Sequence, residues 1–141
     1  MRQRFDTLRL LALVSVLAAT SMLMVAAPAH ASSFGYQCVT DPSYGCVRGT
    51  ITVRGDVTTW NLTVKDNRPG PRGVYAKVVI NRANLPDQSA RSQTVGPRGG
   101  EIAFRGGPVR YPGTRGARVE ICRARTNLHN VCKTAHYERA S

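Results

Sequence analysis

The chain has 141 residues, with 20 Lys and Arg against 8 Asp and Glu and a formal net charge of +12. That length excludes more than one domain of ordinary size once a leader is removed. The charge points to anionic partners such as wall polymers, acidic lipids or nucleic acid; a GC-rich genome would account for Arg over Lys, but not for basic over acidic.

Arg2, Arg4 and Arg9 give a positive start, Leu10 to Val25 is almost wholly apolar, and Ala29-His30-Ala31 supplies a small-x-small cleavage site. This order predicts a signal peptide over residues 1–31, cut after Ala31. The apolar run is short against the roughly 20 residues of a membrane span, and no positive cluster follows it, so no span is expected after cleavage. Arg2-Gln3-Arg4 is not a twin-arginine pair, which favours the general export route. The product, residues 32–141, is expected to be one secreted, extracellular domain. The leader removes three Arg and one Asp, leaving 17 bases, 7 acids and a net charge of +10.

Cys38, Cys46, Cys122 and Cys132 all lie in that domain. An even count in a short exported chain reads as disulfides. Of three connectivities, closeness in sequence favours Cys38–Cys46 and Cys122–Cys132, each stabilising by about 2–3 kcal/mol on the chain-entropy model. No Cys-x-x-Cys occurs, and Cys122, His129 and Cys132 lack zinc-ligand spacing, so no metal is expected.

Val, Ile and Thr dominate over Leu, and Gly and Pro recur too often for a useful helix. Thr50 to Val53 alternates, Gly55-Asp56 makes a tight turn, and Trp60, Leu62 and Val64 alternate with Asn61 and Thr63. This predicts a hairpin over residues 49–66 with Trp60 in the core. Asp66 to Gly73 is a loop by composition, and Val74, Ala76, Val78 and Ile80 form the next inward face. Residues 82–92 read as a long connection, and 93–95 and 101–104 as short strands. Residues 105–116, with Gly106, Gly107, Pro108, Pro112, Gly113 and Gly116, read as loop. Strands near 117–124 and 131–138 close the chain. Setting Cys122 opposite Cys132 places Glu120 opposite Thr134, Arg118 opposite His136 and Val119 opposite Ala135. The disulfide then falls on the face away from the core. About seven short strands with one central Trp predict an all-β, antiparallel, immunoglobulin-like sandwich.

No Gly-x-Ser-x-Gly elbow, phosphate-cradling glycine loop or His-Glu-x-x-His is present, and oxidised Cys leaves no thiolate, so neither catalysis nor a cofactor is expected. The candidate anion-binding residues are Arg68, Arg72, Arg98, Arg105, Arg110 and Arg115, each near Gly or Pro. Their guanidinium forks suit phosphate and carboxylate. If every connection reverses direction, Arg68, Arg72, Arg98 and Arg125 share one end of the sandwich, and Arg82, Arg91, Arg105, Arg110 and Arg115 the other. Only Phe104 and Tyr111 lie near these arginines, which argues against a stacking platform for nucleic acid.

The stretches Gly49 to Val53, Trp60 to Asp66, Tyr75 to Val78, Val119 to Cys122 and Val131-Cys132 resemble small exported proteins of streptomycetes and related actinobacteria. That resemblance implies an exported β domain, not an activity. The favoured reading is a non-enzymatic module binding anionic extracellular or cell-wall polymers through Arg-bearing loops. The alternatives are a protease inhibitor presenting residues 123–131 to another extracellular protein, with Arg123 or Arg125 as specificity residue, and a structural or coat-associated protein.

Overall fold

The computed structural model describes residues 31–38, 44–67, 72–96, 100–124 and 130–141. Apart from Ala31, the expected leader lies outside them. Eight strands are present: β1 Ala31–Cys38, β2 Gly45–Arg54, β3 Val57–Asp66, β4 Val74–Arg82, β5 Gln88–Arg91, β6 Glu101–Arg110, β7 Thr114–Arg123 and β8 Val131–Arg139. The described residues include no helix.

The strands form two antiparallel four-stranded sheets, β1-β2-β3-β6 (the first sheet) and β5-β4-β7-β8 (the second). β1 lies against β8, β2 against β7 and β3 against β4. Alternation drives the layering: Val47, Ile51 and Val53 of β2 and Trp60, Leu62 and Val64 of β3 point inward. They meet Val74, Ala76, Val78 and Ile80 of β4 and Ala117, Val119 and Ile121 of β7. Period-two chains with one apolar face bury it only by stacking a second such sheet on top. Trp60 is a core residue, as expected, with its ring tilted 57° against Phe104 at 5.7 Å.

Both disulfides join the expected partners, Cys38–Cys46 and Cys122–Cys132, each at a Cα–Cα distance of 4.0 Å. Each ties an edge strand to its neighbour, β1 to β2 and β8 to β7. Cys122 sits between the inward-facing Ile121 and the half-buried Arg123, so its bond lies on the outward face of the second sheet, as the register argument required.

Four expectations need correction. There are eight strands rather than about seven, because Ala31–Cys38 pairs with β2 although its small polar residues carry little apolar signal. Residues 82–92 are not one connection: Gln88–Arg91 pairs with β4, and of 93–95 only Val95 bridges, to Val74.

Residues 105–116 are not loop either, since β6 runs to Arg110 and β7 begins at Thr114. β6 is an edge strand, where a proline nitrogen owes no ladder hydrogen bond. A bulge sets Gly107-Pro108 opposite Thr59 and absorbs the irregular pair, with Gly107 at φ 85°.

The pairing of Cys122 with Cys132 and Glu120 with Thr134 holds, but a further bulge at Ala135 shifts the rest. Val119 therefore pairs with His136 and Arg118 with Tyr137.

Candidate anion-binding face

Strand alternation decides which side chains reach solvent. On β2, Arg48, Thr50, Thr52 and Arg54 fall between the inward Val47, Ile51 and Val53. On β3, Thr59, Asn61, Thr63 and Lys65 do the same, and on β6 Arg105 and Arg110 lie beside the inward Phe104 and Val109. The outer face of the first sheet therefore carries Arg48, Arg54, Lys65, Arg105 and Arg110, with Glu101 as its one carboxylate among the described residues. Between these charges run hydroxyl and amide groups. One row, Ser33–Thr50–Asn61–Arg105, crosses all four strands. Arg105 Nε donates to Asn61 Oδ1 at 3.0 Å, which ties its side chain to β3.

β1 reaches this face through its own bulge. Gly35 and Tyr36 together oppose Arg48, which turns the strand over, so Phe34 faces the core and Tyr36 faces out. The Tyr36 ring, 40% exposed, lies 4.6 Å from the Arg48 guanidinium carbon and 5.9 Å from Lys65 Nζ. Its hydroxyl donates to Glu101 Oε2 at 3.5 Å, and Arg48 stands 3.7 Å from Glu101 Oε1.

The outer face of the second sheet differs. It carries Lys77, Arg91, Arg118 and Arg139 together with Glu120 and, at the β4–β5 turn, Asp87. Arg118 bonds Glu120 at 2.7 Å and approaches Asp87 at 3.6 Å, while Lys77 lies 3.8 Å from Glu120. The Glu120 hydrogen bond is the main cause that raises the Arg118 pKa above its ordinary value, against the opposing pull of burial. Arg91 lies over the Tyr75 ring at 3.7 Å. Among the described residues, basic groups thus outnumber carboxylates five to one on the first sheet's outer face and four to two on this one.

Of the six candidate arginines, Arg68 and Arg98 lie outside the described residues. Arg72 is exposed just before β4. Arg105 stands in mid-strand on the first sheet's face and Arg110 at its lower end. Arg115 is an exposed residue of β7, beside the β6–β7 turn. Arg91 does not join Arg82 and Arg115 at that end, because β5 carries it back along β4 to a position opposite Lys77. Arg48, Arg54, Lys65 and Tyr36 were not among the candidates. Arg54 and Lys65 were legible as polar positions of the expected hairpin over residues 49–66, whose alternation put them on the side away from Trp60, whereas Arg48 lies just before its expected start.

Two other groups of polar side chains converge among the described residues. Ser32 Oγ lies 2.8 Å from His136 Nε2, and Glu138 Oε2 lies 3.5 Å from that same nitrogen. The bulge at Ala135 points His136 inward, where it stacks on Phe34 with centroids 4.6 Å apart. A nucleophile triad needs the acid on one ring nitrogen and the hydroxyl on the other, and here both share one. Glu120, Cys122 and Cys132 also converge, but both sulfurs are spent in the disulfide.

Of the expected inhibitor segment, residues 123–131, positions 125–129 lie outside the described residues, so Arg125 has no described position. Arg123 does not project as a specificity residue would: its guanidinium lies 3.4 Å from the Tyr44 ring centroid and its Nε is buried. Comparison with protein-family models, with curated proteins and with solved structures finds no match to this chain.

Proposed function

We propose that the protein is an exported, non-enzymatic module that binds anionic extracellular polymers through the outer face of its first sheet. One observation carries this reading: among the described residues five basic side chains share that face with a single carboxylate, Glu101, while on the opposite sheet four basic side chains face two carboxylates, which pair with Lys77 and Arg118. Codon preference raises the arginine count, but it does not sort charge between two sides of a sandwich. The two disulfides fit the oxidising compartment that a cut after Ala31 implies. Relative to the expected loop site, the binding surface moves onto strands, and Arg105 and Arg110 are retained within it.

The strand order supports an immunoglobulin-like reading in one respect. β3–β6 and β4–β7 are neighbouring pairs in opposite sheets, and the β3–β4 and β6–β7 connections cross between the sheets. The disulfides depart from that pattern, since each lies within a sheet.

The test is retention on a sulfonate or phosphate matrix under a salt gradient, with Arg54, Arg105 and Arg110 changed together to Ala. The triple variant is expected to elute at clearly lower salt than the parent. A control with Arg91 and Arg139 changed to Ala is expected to elute much closer to the parent. Equal shifts for the two variants would reduce the face to bulk charge.

A further inference from the structure

Resting on the reading above, the spacing of the basic groups names the kind of anion. Along β2, Arg48 and Arg54 are six residues apart, about 20 Å at strand rise. Arg105 and Arg110 lie on β6, two strands away from β2, which adds about 10 Å across the sheet. At physiological ionic strength the Debye length is about 8 Å. Groups separated by that distance or more act almost independently on a small anion, which gains from one or two of them. A chain that spans the face touches them all and releases its condensed counterions at each contact.

What lies between the charges matches such a chain. Thr50, Thr52, Thr59, Thr63 and Asn61 are the outward residues there, giving donors and acceptors without further charge. The face offers little for other occupants. Among the described residues its one large exposed ring is Tyr36, already flanked by Arg48 and Lys65, and they include no row of stacking aromatics and no apolar wedge for a bilayer on this face.

We propose that the first sheet's outer face takes an extended, flexible polymer with oxyanions repeated along its length, laid from Arg48 and Lys65 at one end past Arg105 to Arg54 and Arg110 at the other. Phosphate-bearing and carboxylate-bearing chains share this chemistry, and the experiment separates them.

Binding of the intact secreted domain is measured by calorimetry with orthophosphate, triphosphate, long-chain polyphosphate and polygalacturonate, at matched concentration of charge. Affinity per charge is expected to rise steeply between triphosphate and the long chains. The slope of log affinity against log salt is expected near −3.5, at about −0.7 per contact for a flexible polyanion. Arg105→Gln and Arg110→Gln are each expected to make that slope shallower by about 0.7, and Arg139→Gln to leave it unchanged. Whichever of polyphosphate and polygalacturonate binds more tightly identifies the oxyanion, and a length threshold with either supports the proposal. Triphosphate binding as tightly per charge as the long chains overturns it, while leaving the anion-binding reading intact if matrix retention still depends on Arg54, Arg105 and Arg110. Loss of that retention dependence overturns both.

Discussion

Gly106 lies on β6 directly against Trp60, and a Cβ there would collide with the indole ring. Trp60 is nearly fully buried and packs on Phe104, so it has no empty space to retreat into. Gly106→Ala is therefore expected to cost about 2 kcal/mol, the usual scale for overpacking a core. Gly96→Ala is the matched control, because nothing stands within 4 Å of its Cβ position. Urea midpoints read by tryptophan fluorescence check this, and equal midpoints for the two variants would mean the ring has room to move. A second residue-scale brace is Asp56. Its carboxylate accepts from Gly113 N at 2.9 Å and Thr114 N at 3.2 Å, and its carbonyl accepts from Tyr111 N. One side chain thus pins the β2–β3 turn to the β6–β7 turn, across the end of the sandwich. The turn itself was readable from Gly55-Asp56. The brace was not, since nothing local marks which distant amides a turn carboxylate will meet.

At the scale of elements, the weak parts are the edges, and β1 and β8 lie against each other on one side of the sandwich. Both disulfides hold edge strands on this side. β1 has few inward anchors beyond Phe34 and Ser32, and most of β8 is exposed or half-buried. Replacing Cys38 and Cys46 together by Ala is expected to cost about 2.5 kcal/mol on the chain-entropy model for so short a loop. The loss should be local first. Hydrogen exchange is expected to quicken in β1 well before β4, whose two neighbours protect it. Uniform acceleration across both sheets would show instead that the bond supports the fold as a whole.

The same elements show what the sequence could reveal. The β2–β3 hairpin, β4, the closing pair and both disulfides followed from alternation and Cys spacing. β1, β5 and the far half of β6 did not. Their residues, such as Ser32-Ser33, Gln88-Ser89 and Gly106-Gly107-Pro108, become strand only through partners supplied from elsewhere in the chain. Each bulge adds one residue to a strand, so alternation read along one segment alone puts Tyr36, His136 and Arg110 on the wrong side.

Across the whole molecule, charge placement opposes stability on one sheet and supports it on the other. Like charges gathered on the first sheet's face repel in the folded state, whereas Arg118, Glu120, Lys77 and Asp87 attract on the second. Arg118→Gln is therefore expected to lower stability by about 0.5–1 kcal/mol, since it strands Glu120 with one distant partner. Arg110→Gln has no described ion pair to break and is expected to leave stability unchanged or raise it by a few tenths of a kcal/mol. Added salt should shrink the Arg110 difference more than the Arg118 one, because Arg110 is exposed and the Arg118–Glu120 pair is half-buried. Thermal melts of the two variants at low and moderate salt check the sign. If Arg110→Gln destabilises as much as Arg118→Gln, the basic face is structural. If it stabilises while weakening retention on an anionic matrix, the arginine is held at a cost to the fold, and a binding partner is the simplest physical reason for a chain to keep it there.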